Sequence, residues 1–299
     1  MKLTGKPYLL LLISILCVST GSIFIRLSQT DANSLAIATY RLTFSGIILL
    51  IIAGSQLIRE IARLDRKQYL LILLSGVFLA LHFITWVTSL EYTSVAISTV
   101  LVTTTPIWVT FFSKLFLKLH VSVRFYIGLM LAMLGVGLIA LNSKLNENVS
   151  FFGLFLAVAG AWMAAGYFVV NRELNKHMST KTLVAVVYSV AALILLLVSL
   201  LARTQLGGFA MKTWVWLLLL AIIPQVLGHS GLNLVLRAIP THIVTTALLA
   251  EPIFASIMAY LIFFEIPSKN TLAGAILILA GVLLAIYSEN KRVNSLAGN

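Results

Sequence analysis

One carboxylate stands inside an otherwise apolar run of this chain: Glu251, beside Pro252 in the stretch from Ala247 to Phe254. Proline removes a backbone hydrogen bond and frees a carbonyl about one turn earlier. A titratable group at such a break can bind a cation, a substrate amine or a proton. It can equally serve as a structural cap, and the residue types leave both readings open. Gln225, His229 and Asn233 follow Pro224 at i, i+4 and i+8, so on a helix they share one face. Hydrocarbon penalises such a face, which must therefore turn toward a polar cavity or an interhelical hydrogen-bond seam. His82, Trp86 and Ser89, with Thr85 close by, form a similar face. A histidine is the ordinary side chain for proton coupling near neutral pH, although a lone intramembrane histidine also serves as a plain hydrogen-bond partner.

Other candidates line up with these. Thr99 and Thr103 share a helical face, and Trp86 and Trp162 lie deep in their apolar runs. The two tryptophans suit aromatic walls for a cation, an aromatic ring or an amino-acid side chain, or simple packing. Pro106 and Pro252 are candidate kinks for gating. Arg41 is the one Lys or Arg that belongs to a span rather than to an inner or outer segment at its ends. It can neutralise a substrate carboxylate, or act as a structural charge that ties helices or reaches toward the interface. No metal site is expected: two histidines and a glutamate offer no close i, i+4 ligand pair. The single Cys17 excludes a disulfide framework and a cysteine metal site. No phosphate-cradling glycine loop with lysine, His-Glu-x-x-His or Gly-x-Ser-x-Gly pattern occurs. The sequence therefore predicts neither an enzyme nor a cofactor, and no ATP site.

Composition sets where these residues must sit. The 299 residues are 60% hydrophobic and 10% charged, with mean hydropathy +1.05. Soluble chains are about 45–50% apolar and about 25% charged, so a soluble enzyme is excluded. Apolar runs cover 7–26, 35–57, 68–90, 94–117, 123–141, 151–171, 181–202, 213–236, 242–264 and 270–288. Each is about long enough to span a bilayer and must be helical there to satisfy its backbone. The first, following Lys2 and Lys6, is too long for a typical signal peptide and is expected to be an uncleaved span. Residues 294–299 are expected to form a loose tail.

The net charge of +12 follows from topology. With the N-terminus inside, the inner segments carry Lys2, Lys6, Arg59, Arg63, Arg66, Lys67, Lys114, Lys118, Arg124, Arg172, Lys176, Lys181, Arg237, Lys291 and Arg292. The outer segments carry only Arg26, Lys144, Arg203, Lys212 and Lys269. This alternation predicts ten spans with both termini cytoplasmic. The basic residues form small clusters rather than one wettable face, so no nucleic-acid partner is expected.

The chain also repeats itself. A shift of 146 residues puts Pro106-Ile107 on Pro252-Ile253, Gly128 on Gly274, and Gly135-Val136 on Gly281-Val282. It puts His82 one position from His229. Two five-helix units are predicted, 1–146 and 147–290, followed by a cytoplasmic tail at 291–299. An odd number of spans inverts the second unit relative to the first. Inverted repeats place a binding site near the midplane and support alternating access.

The second half of each unit carries a family likeness. Ala247 to Phe254, followed by Phe264-Glu265, Gly274 and Gly281, resembles the EamA-type modules of the drug/metabolite transporter superfamily. Val102 to Trp108, around Pro106, resembles the same element, and Tyr40-Arg41-Leu42 resembles the family's Tyr/Phe-Arg-Phe. One departure is Lys118-Leu119-His120, where the second module has Glu265. The resemblance implies an all-α basket of ten transmembrane helices, with a central cavity lined by spans 1, 3, 4, 6, 8 and 9. Because span two lies outside that set, it favours a structural role for Arg41. It also implies carriage of small metabolites, often outward. The sequence thus predicts a secondary active or facilitative transporter of small organic metabolites in a bacterial inner membrane. Export of amino acids or related compounds is the favoured activity, by a monomer or weak homodimer. A multidrug or lipophilic-cation exporter, and a membrane scaffold without turnover, are the alternatives.

Overall fold

The computed structural model describes residues 5–92, 98, 101–117, 121–140, 150–263 and 269–297. All regular structure among them is helical. The first apolar run forms α1 (Gly5–Ser19) and α2 (Gly21–Ser28), which meet at Thr20. Then come α3 (Ser34–Ile61), α4 (Arg66–Tyr92), α5 (Thr105–Leu117) and α6 (Val123–Ala140). The second unit opens with α7 (Phe151–Leu174) and α8 (Thr180–Leu201). One long apolar helix follows in three parts: α9 (Met211–Leu220), a π-helical stretch (Ala221–His229) and α10 (Ser230–Val235). After it come α11 (Thr241–Ala247), a 3₁₀ turn (Leu248–Ala250), α12 (Glu251–Phe263) and α13 (Lys269–Ala297). The last helix continues beyond residue 294, where a loose tail was expected.

Seven helices among the described residues are long and apolar enough to cross a membrane, including Gly5–Ser28, Met211–Val235 and Leu272–Glu289. Two of the remaining apolar runs give the shorter helices Val123–Leu138 and Thr241–Phe254. The run 94–117 falls partly outside the described residues.

Local chemistry sets the helix ends. Asn33 caps α3 by accepting from the Ala36 amide at 2.8 Å, and Ser150 caps α7 through the Phe152 amide at 3.2 Å. At the start of α8, Glu60 accepts from both the Ser179 amide and its hydroxyl at 2.9 Å, tying the end of α3 to it. Near that end α3 is interrupted at Gly54, where φ is 53° and ψ −142°. A side chain would strain that left-handed turn.

Packing is most extensive between α6 and α13, α4 and α7, and α3 and α8. The first pair shows the repeat directly. A Cβ at Gly128 would lie 2.6 Å from the Gly281 carbonyl oxygen, and one at Gly135 would lie 2.5 Å from the Gly274 oxygen. The 146-residue shift exchanges these two contacts. Helices α6 and α13 therefore cross antiparallel, as quasi-twofold mates, with the backbones in contact through glycine.

Both units also break their cavity helix at the same place. In the first, Thr103 and Thr104 form a turn just before α5 and Pro106. In the second, the 3₁₀ turn Leu248–Ala250 precedes Glu251 and Pro252. The shift maps Thr105 onto Glu251. Proline at the second position of the following helix lacks the amide that a continuous helix would need.

Candidate functional site

The broken helices face a cavity between the two units, enclosing about 580 Å³ of empty space including its open mouth. Its first-unit wall consists of Val18, Arg41, His82, Trp86, Val102, Thr103, Thr105 and Pro106. Ala164, Phe168, His229, Thr245, Leu248 and Glu251 come from the second. All six spans implied by the resemblance contribute, and Arg41 adds span two.

The small residues of α7 make this geometry possible. Gly160 lies so close to α4 that a Cβ there would be 3.2 Å from the Trp86 Cβ. At this separation His82 Nδ1 reaches the Gly160 carbonyl at 2.9 Å. The bond places a proton on Nδ1, so that in the neutral ring Nε2 is the acceptor. The imidazole stacks on Trp86, with centroids 5.7 Å apart and planes at 14°.

Arg41 does not reach for an interface: it is 1% exposed and lines the cavity. Its Nε donates to Gln225 Oε1 at 2.7 Å, and its guanidinium lies 4.4 Å over the Phe83 ring. These contacts fix the plane of the fork. Nη1 finds no hydrogen-bond partner among the described residues, and neither do Trp86 Nε1 or His229 Nδ1. Glu251 attracts Arg41. Among the described residues, no hydrogen bond or ion pair holds its carboxylate.

The polar stripe of span eight divides. The π-helix that carries Gln225 and His229 winds wider than an α-helix, and the stripe's three side chains, with Asn233 on the α-helix that follows, take separate directions. His229 faces the cavity, while Gln225 lies behind it and holds Arg41. Asn233 enters a fully buried seam. It donates to Tyr167 OH at 2.6 Å and accepts from Asn171 Nδ2 at 2.7 Å; Asn171 in turn accepts from Ser75 at 2.5 Å. Asn175 joins by donating to the Asn233 carbonyl at 2.8 Å. Tyr188 interacts with Tyr167, Gln225 and Ser230, linking the seam to the cavity wall.

Of the remaining candidates, Thr103 and Pro106 line the cavity. Ser89 does not; its hydroxyl bonds to Ser98 at 2.5 Å. Trp162 is not a cavity wall either. It is 44% exposed and meets Trp108 edge-on at 4.9 Å. Pro252 is buried behind Glu251. Thr99 and Glu265 lie outside the described residues.

Several contributors escaped the sequence reading. Thr105 is the shifted counterpart of Glu251, so the repeat offered a signal for it. Tyr167, Asn171 and Asn175 stand at i, i+4 and i+8, a polar face that the spacing offered; Phe83 and Tyr188 carry no such signal. Glu251 is also not the only carboxylate inside the helical bundle. Glu289, 1% exposed, accepts from the Ser122 amide at 3.0 Å and lies 3.5 Å from His242 Nε2. This pair joins the starts of α6 and α11 to α13, away from the cavity wall.

Several apolar helices long enough to span a bilayer, folded around a shared cavity, define a multi-pass membrane protein. The EamA-like transporter family model matches residues 5–141 and again 151–287. The chain belongs to that family, and its two halves are two copies of the same module. It is 26% identical over 199 residues to the uncharacterized transporter YdfC of Bacillus subtilis, covering 66% of this chain and 64% of YdfC. It is 25% identical over 307 residues to the S-adenosylmethionine uptake transporter of Rickettsia felis, covering 98% of this chain and 95% of that one. A solved crystal structure superposes with a TM-score of 0.80 at 15% identity, over 96% of this chain and 98% of its own. That likeness concerns the fold.

Proposed function

We propose that the protein is a secondary transporter of small organic metabolites, amino acids or related compounds, working outward across a bacterial inner membrane. Ten spans in two inverted five-helix units would rock about the paired breaks before Pro106 and Pro252. The cavity would open to each side in turn, with both termini cytoplasmic. The observation that carries this reading is the cavity itself: both units supply its walls, and it meets the broken helix of each. Broken helices at corresponding positions of two halves are the expected mark of a transport site.

The guanidinium of Arg41 in the wall disfavours a lipophilic-cation exporter. A scaffold has no need for unpartnered polar atoms around a cavity. The Rickettsia felis relative is named for uptake of S-adenosylmethionine. That molecule ends in an amino-acid group, which agrees with the cargo class, while its named direction is the reverse.

The test is flux in reconstituted vesicles against a panel of amino acids and related metabolites, with and without a pH gradient. At least one compound is expected to move, and Glu251→Gln is expected to remove its movement while expression stays intact. No flux of any compound, or full flux in the variant, would overturn the corresponding part of the reading.

A further inference from the structure

Arg41 and Glu251 carry opposite charges, come from opposite units and face one cavity. Among the described residues they form no ion pair with each other. Arg41 is held rigid by Gln225 and Phe83, yet among its guanidinium nitrogens only Nε donates a hydrogen bond within the described residues. Two more buried polar atoms without partners lie around the same ring. Trp86 packs on Phe83 at 6.3 Å and His229 at 6.0 Å, and within the described residues neither Trp86 Nε1 nor His229 Nδ1 is bonded. A buried donor without an acceptor is costly. A guanidinium is shaped to bind a carboxylate through two parallel hydrogen bonds.

We infer that the cavity recognises a zwitterion: an α-amino acid, or a metabolite that ends in one, with its carboxylate on Arg41 and Trp86 Nε1 and its ammonium on Glu251. The inference rests on the reading of this cavity as the transport site. The rest of the ligand would lie against the apolar wall of Val18, Val102, Phe168 and Leu248. A ligand held at both ends ties the first unit to the second at the broken helix. A ligand with one charge leaves either the guanidinium or the carboxylate unmatched. Recognition by two charges therefore discriminates by the absence of either group, more sharply than an apolar pocket does.

The test uses calorimetry on the purified full-length protein with three ligands built on one skeleton. L-phenylalanine carries both charges, L-phenylalaninamide only the ammonium, and N-acetyl-L-phenylalanine only the carboxylate. Equivalent series are built on L-methionine and L-threonine. In at least one series the zwitterion is expected to bind tenfold or more tightly than either analogue. In Arg41→Gln the ratio of zwitterion to amide affinity should fall to near one. In Glu251→Gln the ratio of zwitterion to N-acetyl affinity should do the same. These ratios in the unaltered protein test the inference even where a variant fails to fold. Equal affinities within every series, or no binding in any, would overturn it. Vesicle flux separates the two readings. Carriage of an uncharged metabolite without zwitterion binding sinks the inference and leaves transport standing. Zwitterion binding with no flux under any gradient sinks transport and leaves the site standing.

Discussion

Arg41 Nε donates a 2.7 Å hydrogen bond to Oε1 of Gln225, joining the second span of one module to the π-helical segment of the other. The amide lies behind the cavity wall, where it sets the angle at which the guanidinium enters the site. Replacing Gln225 with leucine leaves a buried charged donor without its acceptor, at a cost of about 1–3 kcal/mol. Gln225→Leu is therefore expected to lower the melting temperature in detergent and to weaken flux. Unchanged melting and unchanged flux would show that Arg41 is held by something else.

The crossed glycine contact of α6 and α13 leaves no room for side chains. Gly128→Leu or Gly135→Leu would force the helices apart, with overpacking of about 1–3 kcal/mol or more. Gly137 lies on the same helix with nothing within 4 Å of its Cβ position, which makes Gly137→Ala the matched control. The first two variants should give little folded protein by fluorescence-detected size exclusion, and the control should match the parent. Equal yields for all three would contradict the packing.

Single cysteines in a Cys17→Ser background should report which side chains meet the cavity. His229 and Trp86 should react with a small aqueous maleimide and be protected by bound substrate. Asn233, buried in the seam, should not react. Trp162 should resist the aqueous reagent and yield to a lipid-soluble one, since it lies on the outer surface. Substrate-protected labelling at Asn233 would place the seam on the cavity and break the division of the span-eight stripe.

The seam itself should matter to stability more than to recognition. Asn233→Leu removes a residue bonded to Tyr167, Asn171 and the His229 carbonyl. With these partners left unmatched, a loss of about 2–4 kcal/mol is expected. The variant should melt early, yet its surviving folded fraction should keep the parent's substrate affinity by calorimetry. Altered affinity at unchanged melting would make Asn233 a binding residue instead.

Much of this arrangement was legible in the residues. Lipid restricts spanning segments to helices, so ten apolar runs already announced a helical bundle. The 146-residue shift picked out Pro106 and Pro252, and with them the helix breaks. Glu251, His82 and His229 stood out because a polar group in hydrocarbon needs a reason. The misplacements share a physical origin. Depth in a span can be read from sequence, but direction around the helix depends on its neighbours, so Trp162 turned outward. Arg41 lines the cavity although the family likeness set span two apart from it, because a long side chain reaches in; its bond to Gln225 also ties two helices, as a structural charge would. The i, i+4 rule for Gln225, His229 and Asn233 assumed α-helical winding throughout, which the π stretch replaced between Gln225 and His229. Glu289 lay one residue past the expected end of its span. Tyr167 and Asn171 of the seam do stand at i and i+4 on α7, but their partners Tyr188 and Asn233 are brought to them by tertiary packing, which no spacing shows.

The two broken helices match in position but differ in what they carry. Thr105 occupies one corner and Glu251 its twin. The two breaks are thus alike in backbone shape and unequal in charge. A transmembrane field acts on an ionised Glu251 and not on a threonine, so of two matching corners only one can feel voltage.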